Sequence, residues 1–394
     1  MPAEPRPHFP EPELITTTEA LAALCARLGA EPFVTLDTEF MRERTYWPEL
    51  CVVQLAGSAE VAVVDALAPG LDLAPLGRLL ADPHVLKVVH AGRQDIETFV
   101  LKFGAPPRPV FDTQIAAMVA GYGDQVGYDA LVSSLAGGQI DKGHRFTDWA
   151  ARPLSAAQIA YAAADVTWLR PVYERLRARL EANGRLEWVA EEMAALTDPA
   201  LYRPDPETAW ERLRPRTSDR RKLAVLRALA AWREREAQRL NLPRQRVMKD
   251  ETLAEIAATM PRSAADLARA RGLTRSFAEG RMGAAVLEAA AEAAALPEAA
   301  LPPAPAVRET RPSPALVALL KVLLAAKAEM HHVAPKLLAS SEQIDRIASG
   351  ERDGVAALHG WRREVFGEDA LALCAGRLAL GVDGRQIRLI RTDA

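Results

Sequence analysis

No run of about 18 consecutive apolar residues occurs in the chain, so no segment reads as a membrane-spanning helix. Met1–Pro12 is rich in Pro and Glu instead of basic and then apolar, which argues against a secretory leader and sets the expectation of a cytoplasmic protein. Cysteine is scarce as well. Cys25, Cys51 and Cys374 are scattered without metal-ligand spacing, which excludes a disulfide framework or a zinc knuckle and fits a reducing compartment. A Gly-x-x-x-x-Gly-Lys-Ser/Thr phosphate loop is also missing: the nearest approach, Gly138 to Gly143, is followed by His144 and Arg145, so an ATP-driven motor is excluded. Nor does charge of one sign dominate, since 49 Lys and Arg against 52 Asp and Glu leave a net of -3 and no global attraction to polyanions.

What is present is an ordinary globular composition, 49% hydrophobic and 26% charged, on 394 residues. That length exceeds what one core organises and suggests more than one domain. β-rich stretches at Phe33 to Leu36, Leu50 to Ala56 and Val61 to Val64 are joined by connections too short for parallel crossovers, so they form an antiparallel meander. A helix near Ala74 to Leu80, a strand at Leu86 to Val89, a helix over Arg93 to Lys102 and a strand at Val110 and Phe111 then alternate, and these later strands run parallel. The outline is an α/β fold of the RNase H-like kind, a mixed sheet with helices around it. From Ser155 the helical period takes over, as in Leu223, Leu226, Leu229, Ala230 and Trp232. Pro-containing steps near Asp198 to Asp205 mark a hinge, and Pro297 to Pro314 an Ala/Pro-rich linker. The expected domains are 1–200, an all-α module at 207–296, and a second all-α module at 315–394.

Charge is uneven along this frame. Glu211 to Lys249 holds 13 Lys or Arg against 4 Asp or Glu, an excess of +9. Such a block is either a phosphate-binding surface or a solvated helix face. Arg220, Arg221, Lys222, Arg244, Arg246 and Lys249 are its candidate contacts.

In Phe33-Val-Thr-Leu-Asp-Thr-Glu-Phe40, Asp37 and Glu39 share one face of a strand, because side chains alternate. Two like charges on an apolar strand need either solvent or a cation, and a hard divalent ion suits carboxylate oxygens. Asp95 follows a strand and the turn His90-Ala-Gly92, placing it in the first helical turn at a strand's C-terminal end, where ligands gather in α/β sheets. A helix N-terminus would also welcome it for its charge alone. Tyr161 and Asp165 lie four residues apart on one helix face, with three alanines between them that let the helix approach a sheet. Together these residues supply four carboxylates and a hydroxyl able to orient water, which is the inventory of two-metal phosphodiester cleavage.

In order, spacing and flanks, Leu36-Asp-Thr-Glu-Phe-Met-Arg-Glu-Arg-Thr-Tyr-Trp-Pro48, Val89-His-Ala-Gly-Arg-Gln-Asp-Ile-Glu-Thr-Phe99 and Tyr161-Ala-Ala-Ala-Asp-Val166 resemble the DEDDy exonuclease superfamily and, within it, the ribonuclease D family. Phe111-Asp-Thr-Gln114 and Thr147-Asp-Trp-Ala-Ala-Arg-Pro-Leu154 extend the match. The resemblance implies that Asp37, Glu39 and Asp165 ligate one divalent metal ion, Mg²⁺ or Mn²⁺, that Asp37 and Asp95 serve a second, and that Tyr161 positions the nucleophile. It implies 3′ to 5′ hydrolysis of RNA to 5′-mononucleotides, with precursor tRNA as a typical substrate, by a monomer needing neither ATP nor membrane. Asp112 is expected to cap the helix beginning at Thr113 and not to bind metal. Asp219 to Leu296 resembles an HRDC domain, which would hold the body of an RNA whose 3′ end enters the nuclease. Residues 315–394 look like a second, divergent module of that type. Gln94 stands where members of the resembled family often carry an acidic residue. The competing readings are a DNA-directed exonuclease using the same site, since 2′-hydroxyl recognition is not legible, and a non-catalytic RNA-binding module.

Overall fold

The computed structural model describes residues 10–140, 143, 147–213, 217–303 and 312–392. Part of the expected linker, residues 304–311, lies outside them. The chain divides into two compact units: 1–39, 50–199 and 310–394 form the first, and 40–49 with 200–309 the second. No helix among the described residues is long and apolar enough to cross a membrane.

The first unit is built on six strands: β1 (Glu13–Ile15), β2 (Phe33–Met41), β3 (Glu49–Ala56), β4 (Val61–Asp65), β5 (Leu86–Val89) and β6 (Val110–Asp112). Their order is β1-β4-β3-β2-β5-β6. β3 and β4 pair antiparallel, whereas β2, β5 and β6 run parallel to one another, as the alternation of strands and helices requires. β1, too short to stand out in the sequence, joins β4 in parallel at one edge. Val34, Leu36, Val53, Leu55, Val63 and Val88 are all 0% exposed. Strands so continuously apolar must be covered on both faces, each buried side chain contributing about 1.5–3 kcal/mol.

The covering helices are α1 (Thr18–Leu28), α2 (Ala74–Ala81), α3 (Arg93–Phe103), α4 (Thr113–Val119), α5 (Tyr128–Leu131), α6 (Ala156–Thr167), α7 (Leu169–Ala182) and α8 (Leu186–Leu196). α1 lies on one face: a Cβ on Gly57 would meet Leu28 Cδ2 at 2.8 Å. The opposite face carries α6 and α7, since Thr35 Oγ1 donates to Val166 O at 2.7 Å, the Arg170 guanidinium sits 4.1 Å over the Phe33 ring, and Tyr173 meets Phe111 edge-on at 4.9 Å.

The second unit holds α9 (Arg220–Leu240), α10 (Arg244–Val247), α11 (Asp250–Thr259), α12 (Ala264–Leu267), α13 (Arg275–Glu279) and α14 (Arg281–Ala294). Leu226, Leu229, Leu253, Ile256, Leu267 and Val286 form its core. Asp219 caps α9 by accepting from the backbone N–H groups of Arg221 and Lys222. Residues 40–49, which follow Glu39 directly, belong to this unit. Their anchor is Tyr46, 7% exposed, whose hydroxyl donates to Glu234. Arg244 donates to both Glu234 oxygens at 2.5 and 2.6 Å, and Asn241 Oδ1 accepts from the N–H groups of Tyr46 and Trp47 at 3.1 and 3.0 Å.

The C-terminal part of the first unit comprises α15 (Pro314–His331), α16 (Pro335–Leu338), α17 (Ser341–Ala348), α18 (Gly360–Arg362) and α19 (Glu368–Cys374), then β7 (Leu378–Asp383) and β8 (Gln386–Arg391). Expected as an all-α module of its own, it groups with the sheet and ends in a hairpin. The hairpin closes on the two residues Gly384 and Arg385 between the paired Asp383 and Gln386, where the φ of 60° at Gly384 suits a tight turn. Trp361 stacks on Trp188 of α8 at 4.5 Å and 8°, and Arg362 pairs with Glu192 at 2.6 Å.

Replacing Glu234 by Ala leaves Tyr46 and Arg244 without their shared acceptor. Because Arg244 keeps 35% of its side chain exposed, the expected loss is about 2 kcal/mol instead of the ~3–5 of a fully buried pair. Urea unfolding of the variant and parent measures it, and coincident midpoints would contradict the anchor.

Candidate active site

Asp37 and Glu39 stand on β2, the strand next to the antiparallel-to-parallel change in the sheet, and point to the face that α6 covers. α6 is fixed at its start. Ser155 caps it in a reciprocal box with Gln158, and just upstream the Arg152 guanidinium donates to both Asp65 oxygens at 2.8 Å and to Cys51 O at 2.9 Å. Ala162 and Ala163, both buried, let the helix lie close to the strands. The consequence is that Asp165 reaches the strand pair: one carboxylate oxygen from each of Asp37, Glu39 and Asp165 lies within 4.8 Å of the others.

Asp95 arrives from the other side. It occupies the first turn of α3, as its position after β5 implied, and is 6% exposed. The turn leading to it is braced by Asp112, which accepts from the N–H groups of Ala91 at 3.0 Å and Gly92 at 2.9 Å. Gly92 must be glycine here, since a Cβ would lie 2.5 Å from Val89 Cγ2. Asp112 also caps α4 through Gln114 and Ile115, so its capping role is as expected, with the brace added. Asp95 itself accepts from the Thr38 hydroxyl.

This packing is electrostatically expensive. Burial, then the charges of Asp95, Asp165 and Glu39, raise Asp37 well above the ordinary carboxylate range. Burial pushes Asp95 up to about 6 even though Thr38 pulls the other way. Oxygen-only donors set this close together fit a hard divalent ion, and Asp37, Glu39 and Asp165 are the group that could hold one.

Tyr161 lies on α6 with its ring 6.1 Å from Trp149. Tyr128 had no signal in the sequence: its hydroxyl donates to Ala164 O at 3.1 Å, and burial followed by the charges of Asp165 and Asp37 raises it well above an ordinary phenol. His90 packs 5.4 Å from Tyr128, and burial lowers its pKa against the opposing pull of Asp112. Only the fold brings these two rings together.

Known proteins match this arrangement. A family described as "3'-5' exonuclease" matches residues 12–181, and the HRDC domain family matches 222–289. A curated ribonuclease D of Granulibacter bethesdensis is 68% identical over 394 residues, covering 100% of both chains. The chain belongs to the ribonuclease D family. A second ribonuclease D, from Acidiphilium cryptum, is 64% identical over 98% of this chain and 99% of its own. The crystal structure of Escherichia coli RNase D, titled an exoribonuclease involved in structured RNA processing, superposes with a TM-score of 0.82 at 34% identity, over 93% of this chain and 99% of that one. Like its family, the chain is a 3′–5′ exoribonuclease acting on RNA.

The basic block of the second unit is divided in its work. Arg220 donates to the carbonyls of Glu298, Leu301 and Pro302 at 3.0–3.1 Å, and Arg221 to those of Ala294 and Leu296 at 2.5 and 3.1 Å. They satisfy backbone acceptors at and beyond the end of α14. Arg244 is committed to Glu234. Lys222 is half-buried, while Arg246 and Lys249 are exposed.

The raised carboxylates fix how stability depends on pH. Between about pH 4 and 6 the folded chain keeps a proton on Asp95 that the unfolded chain has released, so cation-free stability falls as pH rises through that window. A divalent ion relieves the repulsion where the groups are ionised. Thermal unfolding with and without Mg²⁺ should therefore show a larger rise in Tm at about pH 7.5 than at about pH 5; an equal rise at both would contradict the site.

Proposed function

We propose that the chain trims structured RNAs with a free 3′ end, precursor tRNA among them, in the cytoplasm, releasing 5′-mononucleotides as a monomer with two divalent ions and without ATP. The observation that carries this reading is the convergence of Asp37, Glu39 and Asp165 within 4.8 Å, with buried Asp95 beside them. Bound there, Mg²⁺ or Mn²⁺ would supply the activated water and stabilise the departing 3′ oxygen.

The chain's own residues do the rest. Asp37, central to the repulsion, would bridge the ions. Glu39 and Asp165 would hold one, and Asp95, oriented by Thr38, would serve the other. Tyr161 orients the attacking water through its hydroxyl and needs no change of charge to do so. No side chain acts as nucleophile. In the second unit, Lys222, Arg246 and Lys249 are the basic side chains on which phosphate contact rests, together with whatever donors Arg220, Arg221 and Arg244 have left over from the protein. Such contacts hold the RNA body in a salt-sensitive way without reading its sequence.

Asp37→Ala should abolish shortening of a 3′-hydroxyl oligoribonucleotide in Mg²⁺ or Mn²⁺, and shortening at the parental rate would remove the assignment. Tyr161→Phe should lower kcat by about 100-fold or more while calorimetry finds Mn²⁺ binding nearly intact. A matched loss of metal affinity would instead make Tyr161 part of the ion site.

A further inference from the structure

Among the described residues, four buried side-chain polar atoms lack a hydrogen-bond partner: both amide atoms of Gln54, Trp149 Nε1 and Arg233 Nε. Gln54 is 0% exposed and sits in β3. An amide with both ends unsatisfied in an apolar sheet is costly, and folded proteins keep such a group where water or a ligand completes it.

Its direction follows from the alternation of the strand. Gly57 continues the row of Val53 and Leu55 and is the position that meets Leu28 of α1. Gln54, in the row of Val52 and Ala56, therefore faces the other way, toward α6. β2 and β3 are hydrogen-bonded neighbours joined by residues 42–48, a connection that only an antiparallel pair permits. Thr35 Oγ1 lies 3.4 Å from Ala56 O. Stepping back two residues from Ala56 reaches Gln54, and stepping forward two from Thr35 reaches Asp37. The orphaned amide is thus on the carboxylate face of the sheet, at the level of Asp37. Trp149 Nε1, a second orphaned donor, belongs to the ring packed 6.1 Å from Tyr161 of the same covering helix.

We infer that Gln54 is a positioning residue of the nuclease site, whose amide completes its hydrogen bonds with the water shell of the cations held by Asp37, Glu39 and Asp165. The inference rests on the cation-dependent reading given above. An amide suits the place because it offers a donor toward carboxylate or water and an acceptor toward cation-bound water, yet adds no charge to a cluster already crowded with like charges. An apolar side chain of equal size would fill the space and leave the water shell unheld.

The test uses the full chain and Gln54→Met, read by Mn²⁺ titration, by steady-state kinetics on a 3′-hydroxyl oligoribonucleotide, and by thermal unfolding in chelator. Expected are a Tm in chelator equal to or above the parent's, Mn²⁺ affinity weaker by about tenfold or more, and a fall in kcat with KM little changed. A raised Tm with parental affinity and kcat would make Gln54 a structural burden alone and overturn the assignment. Gln54→Leu carries the same comparison should the linear side chain fail to pack. If the parent chain binds no Mn²⁺, the cation reading falls and the assignment with it; if the parent binds and both variants bind equally, only the assignment falls.

Discussion

Mutual repulsion among Asp37, Glu39, Asp95 and Asp165 is the constraint around which the first unit is built. Left to itself, a chain would separate such groups into water. Here three separate elements, β2, α3 and α6, force them together, and burial raises the protonation of Asp37 and Asp95 as a result. The energy for this comes from the apolar side chains that the sheet buries against helices on both faces. Repulsion of this kind is what a divalent cation among the carboxylates would relieve.

Each carboxylate depends on a neighbour that does no chemistry. Arg152, through Asp65 and Cys51, sets where α6 begins and so where Asp165 falls. Asp112 spends its oxygens on four backbone N–H groups, two in the turn before α3 and two in the start of α4, and so fixes the approach of Asp95. Thr38 faces away from its neighbours Asp37 and Glu39 yet reaches Asp95. Gln54 differs from all of these because its own hydrogen bonds are incomplete within the protein.

In the second unit, charge counted along the chain proved a poor guide to charge offered to a ligand. Arg220, Arg221 and Arg244 satisfy backbone carbonyls and a buried glutamate, roles that need a long, multi-donor side chain but not an open surface. The segment 40–49 shows the converse. It reads as a connection between strands, but Tyr46 and its partners make it part of the helical unit.

The sequence by itself determined the sheet's mixed direction, the helices that bear Asp95, Tyr161 and Asp165, the capping role of Asp112 and the family. These follow from local rules: side-chain alternation in strands, a four-residue repeat on helices, loop lengths too short for a crossover, and cap preferences acting within a few residues. Tertiary structure alone decided the rest. It brought Tyr128 to the carboxylates with His90 packed against its ring, left the Gln54 amide orphaned on their face of the sheet, engaged three of the expected phosphate contacts within the protein, and closed the C-terminal part with a hairpin while grouping it with the nuclease sheet. The physical reason is that hydrogen-bond satisfaction and desolvation depend on atoms distant in sequence, and neither has a period that the chain displays.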